Sequence, residues 1–389
     1  MRFDFHRIAG SVIHYAGIAA LIGAGGAIAT AQNVPAEYVV TGANAEKLHD
    51  FTTINLATAE KLTLACEAEA AALNRQISMI VIDNDGNHVY MDRMDGQGYI
   101  NIITADMKAQ TALKLRGPSK PLLNSSIEDP PRELQYIQLG EFANSGGLPI
   151  IINKQMIGVI GVGGTPAAPP AFSDEICGHR AMTKVFGAQN APTLGPDLPE
   201  RPVTNPKPLP SPKFAVANPP KSSLPAEWVV SPAAAAKVYD ANQISLAAAK
   251  KISKVCRDWA ISKGGGMAIY ILDPEGEFVH MERTDGMAYN NIRTALMKAQ
   301  TSLKTRMPTS VLNASLRNTP TTVPRYVTWM NLFQNPGGMP IVVDGQMIGA
   351  IGVGGGAGGG DEACAIEGLK AAFGDHVTVP VYAAAAGNR

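Results

Sequence analysis

The chain lacks any strongly basic footprint. Among 389 residues, lysine plus arginine and aspartate plus glutamate both number 33, so the formal net charge is zero. A nucleic-acid or anionic-membrane surface needs a cationic patch, and no run of lysine and arginine provides one; a small molecule or another protein is the expected partner. Short catalytic signatures are missing too, with no Gly-x-Ser-x-Gly, no HExxH and no Walker or dinucleotide fingerprint. Cysteine is scarce, four in all, without a CxxC or Cys/His cluster at ligand spacing, which leaves a metal site only as the second reading of those cysteines.

What the chain does have is an internal repeat. "PAEYVV" at 35 returns as "PAEWVV" at 225, "VIDNDG" at 81 as "ILDPEG" at 271, "MDRMDG" at 91 as "MERTDG" at 281, and "MKAQT" at 107 as "MKAQT" at 297, always 190 residues on. "SGGLPIIINKQMIGVIGVGG" from 145 comes back from 336 as "PGGMPIVVDGQMIGAIGVGG", 191 residues on. Solenoid repeats run about 20 to 50 residues, so a unit this long is a duplicated domain. The expected divisions are a first domain over 32–187, a proline-rich spacer over 188–223 that cannot pack a core, and a second domain over 224–389.

Residues 1–31 read as an export signal. Arg2 and Arg7 precede an apolar run from Ile8 to Ile28, followed by the small-x-small triplet Ala29, Thr30, Ala31. An uncleaved anchor is the alternative, since about 20 apolar residues can span a bilayer; cleavage leaves no stable membrane insertion. Export implies a periplasmic or secreted protein in an oxidising compartment. The cysteines fall two per repeat at matching places, which suggests the disulfides Cys66–Cys177 and Cys256–Cys364.

Each unit opens with a helical pattern. It continues with a hairpin around "NDGN" or "DPEG", a second helix, and another hairpin around "NKQ" or "DG". The fold class that follows is α+β: two tandem copies of a domain with a central antiparallel sheet flanked by helices.

The second helix carries the most informative pattern. Asn101, Thr104, Lys108 and Thr111 line one face, and Asn291, Thr294, Lys298 and Thr301 repeat that stripe unchanged, whereas Ile103 becomes Arg293 and Asp106 becomes Leu296. The face of Ala105, Ala109 and Ala112 can approach the sheet closely. Just before this helix lie Arg93 with Asp95, and Arg283 with Asp285. Two readings stay open for them: an internal salt bridge fixing the strand-to-helix corner, or a cationic pocket in which Arg93 and Lys108 take ligand carboxylates. No histidine is shared between the copies, since His88 matches Phe278 and His280 matches Tyr90.

Together, "VIDNDGNHVYMDRMDG", "MKAQTA", "GGLPIIINKQMIGVIGVGG" and "DEICGHRAM" resemble the GlcG/HbpS family of haem-binding proteins, related to the C-terminal domain of PduO-type proteins. The resemblance implies an α+β domain, a tendency to oligomerise, and haem or its degradation products as ligand. Its arginine-aspartate corner falls on Arg93 and Asp95 and on Arg283 and Asp285, and its helix lysine on Lys108 and Lys298, while its usual serine near the end of the last strand is Gly163 and Gly354 here. It fixes no axial ligand; His280 and Met281 are the weak candidates for a metal.

Three functions are carried forward. The first is an exported tandem haem-binding protein for storage, delivery or sensing, forming a pseudo-dimer within one chain and open to higher homo-oligomers. The second is a cofactor-independent enzyme in which Lys108 or Lys298 acts as base on a small carboxylate. The third is a non-catalytic accessory protein of an exported redox system.

Overall fold

The computed structural model describes residues 34–44, 52–165, 172–198, 221–238, 240–317, 327–356 and 360–379. The expected export signal and linker residues 199–220 lie outside them. Both repeats belong to one compact unit, Asn33–Arg389. No helix among the described residues is long and apolar enough to cross a membrane.

The first repeat runs α1 (Leu56–Ala72), β1 (Ser78–Ile82), β2 (His88–Arg93), α2 (Tyr99–Leu115), α3 (Lys120–Glu128), α4 (Pro131–Gln138), β3 (Gly147–Ile152), β4 (Gln155–Gly163) and α5 (Asp174–Phe186). The second runs α6 (Pro232–Val238), α7 (Leu246–Ser262), β5 (Ala268–Leu272), β6 (Phe278–Arg283), α8 (Tyr289–Thr305), α9 (Thr309–Arg317), β7 (Gly338–Val343), β8 (Gln346–Gly354) and α10 (Gly360–Phe373). All eight strands form one antiparallel sheet in the order β3-β4-β1-β2-β6-β5-β8-β7. The repeats join edge to edge at β2 and β6, where Met91 faces Met281. A lone repeat would leave β2 as an unpaired edge, a template for unwanted strand pairing; here each repeat covers the other's.

One sheet face carries α1 and α5 of the first repeat and α7 and α10 of the second over two separate apolar cores. The other face carries α2 and α8 over a single core that crosses the seam, with Ile80, Met91 and Ile102 meeting Tyr270, Met281 and Ile292. Burying side chains of this size contributes about 1.5–3 kcal/mol each. The expected cysteine pairs lie at disulfide distance, Cys66 with Cys177 joining α1 to α5 and Cys256 with Cys364 joining α7 to α10.

Turn and glycine chemistry follow from local geometry. The β3–β4 hairpin turns on Asn153 and Lys154, with φ of 50° and 69°, and Asp344 with Gly345 do the same at 47° and 77°. These are two-residue turns of the primed kind that matches strand twist, so Gln155 belongs to β4 and not to the turn. The alanine face of α2 lies directly on β4: a Cβ at Gly161 would sit 1.9 Å from the Ala105 carbonyl oxygen, and one at Gly163 would sit 2.3 Å from that of Asn101. That contact is why glycine stands where the family resemblance led us to expect serine. It also leaves no ligand space between sheet and alanine face.

Candidate functional site

The arginine-aspartate corners act across the seam, which neither sequence reading anticipated. Asp83 and Asp273 each fold their own hairpin turn, accepting from the amides of Asp85 and Asn87 and of Glu275 and Glu277. Each then takes the other repeat's arginine, Arg93 to Asp273 at 2.6 Å and Arg283 to Asp83 at 2.9 Å, all four residues being buried. Arg93 also donates to the Phe278 and Gln97 carbonyls and lies over the Tyr99 ring. Asp95 accepts from the Leu246 amide at the start of α7, and Asp285 from the Leu56 amide at the start of α1, both at 2.8 Å. Burial raises both carboxyls above their usual pKa, against those backbone bonds. Arg93 therefore pairs with Asp273 while Lys108 pairs elsewhere, and no joint Arg93–Lys108 pocket forms.

Beneath α1 and α7 the seam holds a charge cluster. Lys250 bonds Asp92 at 2.6 Å and Glu67 at 3.4 Å, His280 Nδ1 meets Asp92 at 2.6 Å, and Arg257 donates to Glu282 at 2.9 Å. Burial works against the His280 imidazolium, but Asp92 overrides it and lifts the pKa to about 9. Burial, then the charge of Asp92, pushes Glu67 up to about 8. Asp92 itself is held below its ordinary value, because His280 and Lys250 outweigh its desolvation. Of the two weak metal candidates, His280 is 1% exposed within this ion cluster and Met281 is fully buried in the core that crosses the seam. Among the described residues no group of three or more His, Cys, Asp or Glu side chains could hold a metal ion.

The helix stripe divides by role. Thr111 and Thr301 accept the Phe142 and Phe333 amides and anchor the loops that precede β3 and β7. Lys108 donates to the Val162 carbonyl at 3.0 Å and to Asp174 at 2.7 Å, and Lys298 repeats this with Val353 at 2.8 Å and Asp361 at 2.5 Å. Asn101, Thr104 and Lys108 line a cavity of 650 Å³ whose other walls include Lys120, Leu123, Asn124, Ile127 and Leu198. Asn291 and Asp285 instead border a second cavity, 860 Å³, beside Gly264–Gly266.

Lys120 is the cavity residue that the repeat pattern hid. It bonds Glu175 at 3.0 Å and Asp197 at 2.5 Å. Burial pulls its pKa down, yet the bonds from Asp197 and then Glu175 carry it above the ordinary lysine value. The second repeat has Ser310 at that place, donating to Glu362 at 2.8 Å. A partial signal was present: the pairs Asp174–Glu175 and Asp361–Glu362 open the last helix of both copies, and their carboxylates hold Lys108, Lys298, Lys120 and Ser310.

Fold and site define a class: a fused pair of α+β halves sharing one antiparallel sheet, with a cation-bearing cavity in the first half. The chain belongs to the HbpS-like family, whose model, described as haem degrading protein HbpS-like, matches residues 54–178 and 244–370. An uncharacterised 15.0 kDa protein from the dhaT–dhaS intergenic region of Citrobacter freundii is 34% identical over 122 residues, 30% of this chain and 84% of that protein. Among solved structures, the Klebsiella pneumoniae protein ORFY is 28% identical over 36% of this chain and 94% of its own, with a TM-score of 0.32. HbpS is 28% identical over 38% of this chain and 99% of its own, with a TM-score of 0.31.

Proposed function

We propose that this chain is an exported binding protein for haem or a haem-derived tetrapyrrole, taken up in the cavity of the first repeat. The observation that carries the reading is the pairing of chemistries in that cavity, Lys120 beside Leu123 and Ile127. A tetrapyrrole presents the same pairing, a flat apolar body with carboxylates at its rim, and 650 Å³ falls within the range of about 300–1,000 Å³ usual for small-molecule sites. Family membership and the two cysteine pairs support the ligand class and the export.

The iron fits less well than the rim. Among the described residues lining the cavity none is histidine, cysteine, methionine or tyrosine, the side chains that ligate haem iron. The cavity suits the periphery of the ligand, and nothing in our reading runs through the metal. Binding is favoured over turnover because Lys108 spends two of its three N–H donors on Val162 and Asp174, an arrangement that positions a cation and does not present a free base.

Hemin titration of the full chain, followed at the Soret band, tests this. The expected result is a saturable shift with one hemin per chain, since the second repeat has Ser310 in place of Lys120. Trp228, Trp259 and Trp329 all lie in the second repeat, so tryptophan quenching reports binding there. Absorbance changes that never saturate would sink the proposal. A Lys108→Met, Lys298→Met double variant separates the alternatives: binding predicts weakened affinity, whereas a lysine-base enzyme predicts abolished turnover.

A further inference from the structure

The first stretch of the linker is the present occupant of the cavity's cation site. Gly195–Leu198 follows the last helix of the first repeat and crosses to α3, where Asp197 bonds Lys120, the Pro196 carbonyl accepts from Asn124 Nδ2 at 3.1 Å, and Leu198 lines the cavity. The two carboxylates on Lys120 differ in kind. Glu175 is 2% exposed on its side chain and fixed in the first turn of α5, whereas the Asp197 side chain is 84% exposed and comes from a segment with no regular secondary structure. An ion pair open to water to that extent is worth little, so the strap is held by weak bonds at the mouth of the site.

We infer that Lys120 is a carboxylate-binding subsite for an amphipathic ligand and that Asp197 is its built-in, displaceable competitor. The inference rests on the proposed tetrapyrrole cavity and names the atoms that would meet a rim carboxylate. An incoming carboxylate takes the Asp197 position on the ammonium, the ligand's apolar body takes the place of Leu198, and the strap lifts. Glu175 stays on Lys120 throughout, so the exchange swaps one carboxylate for another and leaves the local charge unchanged. A tethered competitor sets an effective concentration that any free ligand must exceed, which makes the linker a threshold for loading. The second repeat has Ser310 where the first has this ammonium.

The test titrates the full chain with protoporphyrin IX and with its dimethyl ester, following porphyrin fluorescence, in wild type, Asp197→Asn, Lys120→Ser and the double variant. Expected results are a preference for the free acid in wild type, about threefold tighter binding in Asp197→Asn given the small worth of an exposed pair, and loss of the free-acid preference in Lys120→Ser. In the double variant the Asp197 change adds nothing, and hydrogen exchange at 195–198 speeds up when porphyrin binds wild type. Unchanged or weaker binding by Asp197→Asn, with Lys120→Ser impaired, overturns the strap and leaves the cavity reading standing. Saturable binding that ignores Lys120→Ser overturns both the subsite and the siting of the ligand. Absence of saturable binding in every variant brings down the functional reading and this inference with it.

Discussion

The two repeats keep the same frame but differ over part of the seam between them and around their cavities. Their arginine-aspartate corners are reciprocal, yet the seam beneath α1 and α7 is not. Glu60, Glu67 and Tyr90 of the first repeat have become Lys250, Arg257 and His280 in the second. Two identical units placed face to face would set like charge against like in this buried cluster, with Glu60 in the place of Lys250 against Glu67 and Asp92. Differentiation lets the first copy supply acid and the second supply base, so the fused pair is complementary where a symmetric dimer would be frustrated. The cavities follow the same logic, Lys120 against Ser310 and Asn74-Arg75-Gln76 against Gly264-Gly265-Gly266. Duplication preserved the scaffold, and the faces of the copies were then free to diverge.

The most severe way to break this comparison is at the shared corner. Arg93→Met leaves Asp273 buried without its partner, and removing one member of a buried pair costs about 3–5 kcal/mol. Arg283→Met does the same to Asp83. Urea unfolding should place both variants in that range, with Arg93→Met the worse, because Arg93 adds bonds to Phe278 and Gln97 and the contact with Tyr99 to its ion pair. A loss under about 1 kcal/mol in both would mean that the corners do not hold the halves together.

A smaller effect probes the asymmetric seam. His280 has a folded pKa of about 9, raised from 6.5. Its stabilisation is therefore complete below pH 6.5 and lost as pH rises through about 9. Glu67, raised from 4.5 to about 8 by burial, loses stability over pH 4.5 to 8 because the unfolded carboxyl ionises first. Both slopes have the same sign. Wild-type stability should fall from pH 6.5 to 9, with up to about 3 kcal/mol traceable to His280, and His280→Gln should flatten the upper part of that fall. An identical slope in the variant would remove His280 from the explanation.

Much of this architecture was legible in the sequence because repetition doubles every local signal. Hairpins, helix stripe and cysteine pairing each occur twice with different surrounding residues, and the structure contains them all. What a repeat cannot show is which copy a residue reaches: Arg93 has an aspartate two residues on and equivalent turn aspartates at 83 and 273, and only strand order reveals that it takes the distant one. Lys120 stayed hidden for the opposite reason, since attention to residues shared by the copies passes over a site that only one copy has. The stripe Asn101, Thr104 and Lys108 does line a cavity, whereas the alanine face beside it packs flat on glycine.

The mildest perturbation concerns how each repeat starts the other's helix. The α1 amide of Thr58 is accepted by the Asn55 side chain at 2.8 Å, and the α7 amide of Ala248 by the Ser245 hydroxyl at 3.1 Å. A first-turn helix amide without an acceptor loses a bond that capping supplies, so Asn55→Ala and Ser245→Ala should each cost about 1 kcal/mol. Asp285 and Asp95 cap the neighbouring amides of Leu56 and Leu246 from the opposite repeat, which makes each helix start a composite of both copies. If the two caps act together, Asn55→Ala combined with Asp285→Asn will differ from the sum of the single effects, whereas Asn55→Ala with Asp95→Asn, at opposite ends of the seam, will add. Additivity in both pairs, read from urea midpoints, would show that the cross-repeat carboxylates stabilise the seam independently of helix initiation.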